Sequence, residues 1–289
     1  MNSPIPRLVA IHDLSGYGRA SLTVAMPVLA TLGVQVCPLP TAVLSSQTTG
    51  IDDFTFLDLT DQMPLMLDHW GKLGLRFDAV YSGFLGNPAQ VELVARCIKD
   101  FLKPGGLAVV DPVLGDNGSL DSTQNREMVE AMRKLISLAT LITPNLTEAA
   151  FLLGEPFRQN LPQSTQKQWL QRLANLGPNR VVITSAPGNL PDSTACLAYD
   201  KAAEKYWRVE AKCVPAYYPG TGDAFASVLT GCLLKSASLP MAVDRSAQFV
   251  LQAIRVSFEH NLPSSEGILL ESALGSLNMP FTSNSIRDF

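Results

Sequence analysis

The chain has 289 residues, of which 46% are hydrophobic and 17% charged, and its formal net charge is −4. This length and composition allow one large α/β domain or two small ones with a sizeable core. They exclude a nucleic-acid-binding protein, which would show a basic stripe, and no run of like charges predicts an interaction tail.

Cysteine usage and the N-terminal residues indicate where the protein works. The five cysteines are scattered and form no C-x-x-C pair; they lie at positions 37, 97, 196, 213 and 232. This pattern favours buried thiols in a reducing compartment over disulfides or a zinc knuckle. The stretch MNSPIPRLVA lacks the pattern of a signal peptide. Residues 20–51 carry no charge, but prolines and polar residues interrupt any continuous apolar helix of about 20 residues. We expect a soluble cytoplasmic protein without a membrane partner.

Short β-branched runs alternate with longer helical patterns along the chain. In order, the pattern predicts a strand (7–12), a helix (21–33), two strands (34–39 and 78–83), a helix (89–102), a strand (106–112), a helix (126–139), a strand (140–145), a helix around 169–176 and a strand (179–185). A hairpin turning around 200–205 follows, then helices at 223–234 and 241–260, and a polar tail (262–289) expected to lie over the surface. Such alternation predicts an α/β fold with a mostly parallel sheet covered by helices on both faces.

Ligands of such sheets bind beyond the carboxyl ends of the strands, so the segments after each strand are the candidate sites. The first, GYGRAS (16–21), approaches a dinucleotide fingerprint, but Ser21 replaces the third glycine and no carboxylate lies between Arg19 and Asp52 to hold a ribose. A Walker loop, a G-x-S-x-G nucleophile elbow and histidines in metal-ligand spacing are all absent from the sequence.

The stretch YYPGTGDAFA (217–226) places Gly220, Thr221 and Gly222 directly before Asp223, where an apolar helix begins. One interpretation is an ordinary helix start, because glycines break helices and a first-turn acid complements the macrodipole. The other is a catalytic base beside backbone amides that bind an anion.

Acidic residues at strand ends predict a cation site. Asp111 ends a strand, Asp116 follows it in DPVLGD, and Glu148 comes just after TPN. Oxygen ligands of this kind suit Mg²⁺, which usually binds through one or two carboxylates and substrate phosphates. The alternative is structural: Asp111 caps the turn before Pro112, and Glu148 opens a helix.

Together the motifs resemble a known superfamily. DPVLGD, TPNLTEA, VVITS and PGTGDAFAS, in this order and spacing, resemble the ribokinase-like superfamily. GYGRAS, LPTAVLSSQTTG and YSGFLG narrow the resemblance to its vitamin-kinase branch, most similar to pyridoxal kinases. The match covers about residues 6–260. It implies a three-layer αβα sandwich, one kinase domain over 1–289, a homodimer, and ATP-dependent phosphorylation of the hydroxymethyl group of a B6 vitamer (pyridoxal, pyridoxamine or pyridoxine).

The resemblance also implies roles for individual residues. Asp223 would be the base, and the amides of Gly220, Thr221 and Gly222 the anion hole for the transferred phosphoryl group. Asp116 and Glu148 would belong to the Mg²⁺ and phosphate region, and Asp111, Thr143 and Thr184 to the surroundings of a K⁺ ion. Asn145 and Ser185 would contact the nucleotide phosphates. Thr48 and Phe84 would line the substrate pocket.

The chain departs from pyridoxal kinases at the substrate pocket. Asp13-Leu14 stands where Ser-His is usual, and Gln47 and Phe84 stand where His and Tyr are frequent. Asp13 could pair with a protonated ring nitrogen or an exocyclic amine, or cap the turn before Gly16. A hydroxymethylpyrimidine kinase, a sugar kinase and a non-catalytic ligand-binding relative therefore remain alternatives. Sugar kinases of the superfamily usually carry an inserted β-lid, and the sequence predicts no extra hairpin early in the chain.

Overall fold

The structure is a computed structural model that describes residues 4–283 and 285–289. In these residues the strands are β1 (Arg7–Ile11), β2 (Leu14–Ser15), β3 (Gln35–Pro38), β4 (Ala42–Leu44), β5 (Phe56–Asp58), β6 (Phe77–Ser82), β7 (Leu102–Val110), β8 (Gly115–Asp116), β9 (Ser119–Leu120), β10 (Leu141–Ile142), β11 (Arg180–Pro187), β12 (Ser193–Asp200), β13 (Lys205–Lys212) and β14 (Ile286–Asp288). The helices are α1 (Leu22–Thr31), α2 (Met63–Lys72), α3 (Pro88–Phe101), α4 (Arg126–Ile136), α5 (Leu146–Leu153), α6 (Gln163–Ala174), α7 (Thr221–Leu234), α8 (Leu239–Glu259) and α9 (Leu270–Ala273).

One nine-stranded sheet forms the centre of the molecule, in the order β14-β13-β12-β11-β10-β7-β6-β1-β3. The six strands β3, β1, β6, β7, β10 and β11 run parallel to one another, and β12, β13 and β14 continue the sheet antiparallel. The predicted hairpin is confirmed, because Asp200 of β12 pairs with Lys205 of β13.

The core lies in two layers, one on each face of this sheet. Successive residues of β1 point to opposite faces, so that Val9 and Ile11 pack with α2 to α6, whereas Leu8 and Ala10 pack with α1, α7, α8 and α9. Both faces of the parallel strands are therefore buried, which explains their unbroken apolar runs. The predicted α/β fold, an αβα sandwich, is confirmed. Among the helices described, none is both long and apolar enough to span a bilayer.

Two predictions about the periphery are wrong. An early hairpin does exist, because β4 pairs antiparallel with β5, and β2 joins β4 in a small separate sheet. The tail does not merely lie over the surface: it inserts apolar side chains into the core and adds β14 to the sheet edge. The buried tail side chains are Ile268, Leu270, Ala273 and Leu277.

The cysteines follow their prediction in part. All five are free thiols; Cys97, Cys196 and Cys232 are buried, Cys37 is half-buried, and Cys213 is exposed. The expectation of burial is thus wrong for Cys213, which lies just beyond the end of β13.

Candidate active site

The segments after β1, β6, β7, β10 and β11 meet at one edge of the sheet, where the N-terminus of α7 also lies. β10, β7, β6 and β1 are consecutive neighbours in the sheet, so their carboxyl ends are adjacent. This brings together Asp13, Phe84, Asp111 and Thr143, as the sequence predicts for a parallel sheet.

The start of α7 is shaped by two glycines with different surroundings. Gly220 caps the helix with φ +80°, and a Cβ atom on it would lie 2.2 Å from the carbonyl oxygen of Arg19. Gly222 is exposed, and a Cβ atom there would come no closer than 3.9 Å to Asp111 Oδ2. The first amides of a helix lack intrahelical acceptors, and within the described residues no side chain caps them in α7. The surface of Thr221 and Gly222 therefore offers donors with room for an anion.

Asp223 occupies the first turn of α7 with both oxygens directed inward. Its Oδ2 accepts a 2.8 Å hydrogen bond from the backbone N–H of Ser21. Its Oδ1 lies 3.7 Å from His12 Nδ1, and 15% of the side chain is exposed. Burial raises the pKa of Asp223 to about 6, and repulsion from Asp13 adds to the rise, whereas the Ser21 amide opposes it. The carboxylate is therefore ionised at neutral pH, yet more basic than an ordinary aspartate.

Asp111 faces Asp223 from the end of β7. Thr143 donates a 3.0 Å hydrogen bond from its hydroxyl to Asp111 Oδ1. Burial raises the pKa of Asp111 to about 7, and repulsion from Asp223 raises it further, whereas the Thr143 hydroxyl opposes the rise. Two buried carboxylates that repel each other are costly unless a cation accompanies them. Their donor chemistry fits a hard cation.

Glu148 and Asn145 form a capping box at the start of α5, so Glu148 does have the helix-start position of the structural alternative. The backbone N–H groups of Asn145 and Leu114 donate to its two carboxylate oxygens at 2.7 and 3.0 Å. Burial raises the pKa of Glu148 well above its usual value, and repulsion from Asp111 and Asp116 adds to the rise.

Asp116 is less enclosed than the other acids of the predicted cation site. It is exposed and accepts a 2.8 Å bond from the backbone N–H of Asn117. Among the residues that the structure describes, no three histidine, cysteine, aspartate or glutamate side chains converge as a metal site. A cation at this edge would thus rely on few carboxylates together with other oxygens, as Mg²⁺ does.

The predicted nucleotide residues sit on neighbouring strand ends. Asn145 donates from its side chain to the carbonyl of Gly115 at 2.8 Å, and an isolated parallel bridge pairs Asn145 with Thr184. Ser185 follows at φ +58° in a β-bulge of β11 and is exposed. Thr184 and Ser185 therefore lie beside Asn145 at the same edge.

The predicted substrate residues have contrasting surroundings. Thr48 is exposed and Phe84 is half-buried. Gln47 is only 3% exposed, and its side-chain amide bonds to the backbone of Thr49 and to the carbonyl of Ser265. Its polar atoms thus hold the loop in place. Asp13 is 5% exposed, and its carboxylate accepts hydrogen bonds from the hydroxyls of Ser15 and Ser21.

His12 and Tyr81 belong to the site, although the motifs did not indicate them. His12 is fully buried close to Asp223, and neither ring nitrogen has a hydrogen-bond partner in the described part of the chain. Burial lowers the pKa of His12 to about 3, so the ring is neutral. It packs edge-on against Tyr81 at 4.4 Å, and Gly83 leaves it room. Burial, followed by repulsion from Asp223 and Asp111, raises the pKa of Tyr81 well above its usual value. The available signal for His12 is its position at the end of the first predicted strand (7–12), the end at which ligands of such sheets bind.

Fold and site together define a class of protein. Bare amides at a helix start, a carboxylate beside them and buried acids at neighbouring strand ends suit phosphoryl transfer, which depends on positioning and charge stabilisation. The class is a small-molecule kinase. Residues 21–267 match the phosphomethylpyrimidine kinase family, and the chain belongs to that family.

Relatives carry two kinds of substrate in their names. A pyridoxine/pyridoxal/pyridoxamine kinase of Bordetella bronchiseptica is 32% identical over 267 residues, covering 87% of this chain and 90% of that protein. A hydroxymethylpyrimidine/phosphomethylpyrimidine kinase of Mycobacterium tuberculosis is 26% identical over 258 residues, covering 88% of this chain and 90% of that protein. A Bacteroides thetaiotaomicron protein described as a phosphomethylpyrimidine kinase, crystallised with pyridoxal, is 49% identical with a TM-score of 0.95, covering 99% of this chain and 100% of that one.

Proposed function

We propose that the protein transfers the γ-phosphoryl group of ATP to the hydroxymethyl group of a B6 vitamer. The observation that carries this proposal is the 49% identical neighbour, which was crystallised with pyridoxal and covers almost the whole chain. The Bordetella relative, named for three B6 vitamers, supports the same substrate class.

In this proposal, Asp223 orients the substrate hydroxyl and accepts its proton. Its raised pKa suits proton transfer near neutral pH, because a base works best when its pKa lies close to the working pH. The amides of Gly220, Thr221 and Gly222 stabilise the charge of the transferred phosphoryl group. Thr48 and Phe84 line the substrate pocket, and Asn145 and Ser185 contact the phosphates of the nucleotide.

Cations complete the proposal. Asp116 and Glu148 would belong to the Mg²⁺ and phosphate region, and Asp111, Thr143 and Thr184 would lie around K⁺. When bound, Mg²⁺ supplies charge neutralisation for the phosphate oxygens. The fit rests on the burial of Asp111 and Glu148, whose carboxyls repel each other and carry raised pKa values. The proposal also includes a homodimeric state, and light scattering of the purified protein would measure its molecular mass in solution.

A hydroxymethylpyrimidine kinase is the second candidate, because relatives 26% identical over most of the chain carry that name. The test is a panel of pyridoxal, pyridoxine, pyridoxamine, hydroxymethylpyrimidine and simple sugars, with ADP release and product mass measured for each. We expect the highest kcat/KM for a B6 vitamer. A higher value for the pyrimidine would reassign the substrate, and ligand binding without ADP release from any compound would indicate a non-catalytic relative.

A further inference from the structure

Ser21, at the N-terminus of α1, has an unusual backbone conformation. Its φ is +53° and its ψ −125°, a combination that glycine adopts in type II′ turns and other residues rarely do. Such a conformation persists only where the surroundings over-determine it, and it is found most often at functional sites.

Asp13 provides the contacts that hold Ser21 in this conformation. The Ser21 hydroxyl donates to Asp13 Oδ1, and the next amide, of Leu22, donates to the Asp13 carbonyl at 3.1 Å. Asp13 is itself fixed, because the Ser15 hydroxyl donates to its Oδ2 at 2.9 Å and the residue is 5% exposed. The side chain and the backbone of Asp13 thus bind both sides of the strained peptide unit.

The consequence of this conformation is the direction of one N–H group. The Ser21 amide points at Asp223 and donates to Oδ2 at 2.8 Å. With Oδ2 occupied, the carboxylate has a fixed orientation, and its Oδ1 lies on the side of His12 Nδ1, 3.7 Å away. Hydrogen bonds to a carboxylate are charge-assisted and therefore orient it strongly.

We propose that Asp13 and Ser21 form a clamp, defined by the Ser21 hydroxyl on Asp13 and the Ser21 amide on Asp223, that positions the Asp223 carboxylate for the reaction. Asp13 is then a positioning residue that acts through Ser21, and its carboxylate does not contact the substrate ring. This inference rests on the proposed function, in which Asp223 is the base.

The alternative role, direct contact between Asp13 and the substrate, has less support in the geometry. Both oxygens of Asp13 already accept a serine hydroxyl, and the residue is buried. A second carboxylate close to Asp223 is also electrostatically unfavourable. Such an arrangement needs a compensating benefit, and the orientation of Asp223 provides one.

Four variants separate the two roles. Ser21→Ala removes the hydroxyl but keeps a side chain in the strained conformation, and Asp13→Ala removes the acceptor. Misplacement of a catalytic group by about 1 Å can cost about 100-fold, so we expect kcat to fall about 10- to 100-fold in both, with KM values for ATP and vitamer nearly unchanged. Ser21→Gly adopts the backbone conformation without strain and should retain more of kcat than Ser21→Ala. Asp13→Asn keeps an acceptor oxygen for Ser21 and should rescue kcat relative to Asp13→Ala.

A matched control shows how much kcat changes when a buried serine hydroxyl outside the site is removed. Ser246 is fully buried in α8, and its hydroxyl bonds to the carbonyl of Ala242. Ser246→Ala should leave kcat unchanged. The clamp is overturned if Ser21→Ala retains kcat within twofold of the wild type. It is equally overturned if Asp13→Asn and Asp13→Ala both raise KM for the vitamer by similar factors at unchanged kcat, which is the result for a direct substrate contact.

Hydrogen exchange tests the clamp without any activity. The Ser21 amide should be protected in the wild type, and should exchange about 5- to 30-fold faster in Asp13→Ala and in Asp223→Ala, as a loss of one or two kcal/mol implies. Unchanged protection in Asp13→Ala overturns the clamp. A wild-type protein that phosphorylates no vitamer while showing this exchange pattern would contradict the proposed substrate and leave the clamp standing.

Discussion

Replacing Asp223 with asparagine separates a catalytic base from a helix-start residue, because only the loss of a base lowers kcat strongly. Asparagine has nearly the size of aspartate and keeps an acceptor for the Ser21 amide, but it cannot accept the substrate proton. The substitution therefore removes one charge from a site that otherwise retains its shape.

The magnitude follows from the pKa of the carboxyl. Burial raises it from 3.8 to about 6. At about 1.4 kcal/mol per unit, keeping Asp223 ionised at pH 7 costs roughly 3 kcal/mol of folding free energy, after the favourable Ser21 bond is included. Asparagine avoids this cost, so we expect the variant to be more stable by about 1–3 kcal/mol, and its Tm to rise by a few degrees. The favourable interaction with the helix dipole that the substitution removes is smaller, about 0.3–1 kcal/mol, and does not reverse the expected rise in Tm.

Activity should move in the other direction. Loss of a general base typically costs about 10²–10⁴ in rate, so kcat should fall by at least 100-fold while ATP affinity is retained. The assay measures kcat, nucleotide affinity and Tm on the same preparation. Glu127 provides a matched control, since it is an exposed acid in the first turn of α4, and Glu127→Gln should leave kcat intact. An Asp223→Asn variant that retains more than about a tenth of wild-type kcat would return Asp223 to the role of a helix-start residue.

Three further predictions concern pH, backbone packing and cations. The acid limb of kcat should have its midpoint close to pH 6, where Asp223 ionises; a midpoint near pH 4 would contradict the raised pKa. Because the folded pKa exceeds the unfolded one, Asp223 should also cost stability progressively as pH rises from about 4 to about 6, and Asp223→Asn should lack that component in urea titrations. Gly220→Ala should lower the free energy of unfolding by more than about 2 kcal/mol, since φ is +80° and the new Cβ would meet the Arg19 carbonyl at 2.2 Å. Gly74→Ala is the control, because Gly74 has φ +65° and no atom within 4 Å of the new Cβ. Equal losses of stability in the two variants would refute the packing argument. Excess EDTA should abolish turnover, and tetramethylammonium should not replace K⁺. Both are measured by direct detection of ADP, because coupling enzymes need the same cations. Full activity in either condition would remove that ion from the proposal.

The sequence predicts the central fold because the information is local and repeated. Each parallel strand is a short apolar run followed by a helical pattern, and the handedness of such units leaves few arrangements of the sheet. β2, β4, β5, β8 and β9 escape this reasoning because two or three residues cannot display a periodicity. The burial of the tail escapes the prediction because its apolar run (268–277) is short and lies among polar residues. Whether that run is buried depends on α1, α7 and α8 being in place.

The site was predictable where residue type and strand position agree. Asp111, Thr143 and Asp223 could be expected near one another, since strand ends share an edge. Sequence reasoning could not show that the Gln47 amide is bonded to Ser265, 218 residues away, because a polar residue in a loop carries no sign of its partner. The same limit applies to Ser21. The glycines at 16 and 18 are the residues of this stretch for which a positive φ would be expected, and nothing in the local sequence indicates it for Ser21.

The two glycines of the Gly-Thr-Gly-Asp motif serve different purposes, which their shared motif conceals. Gly222 is exposed, and the space in front of it is open to a ligand. Gly220 instead packs against the Arg19 backbone, and Gly267 also approaches it, with a Cβ position 2.7 Å from the same carbonyl oxygen. The Arg19 amide donates to Glu266 at 3.1 Å. Arg19, and with it the short segment that contains Ser21, is therefore in contact with both the start of α7 and the tail. Because Ser21 lies only two residues beyond Arg19, these contacts of Arg19 also restrain the residue whose amide binds Asp223.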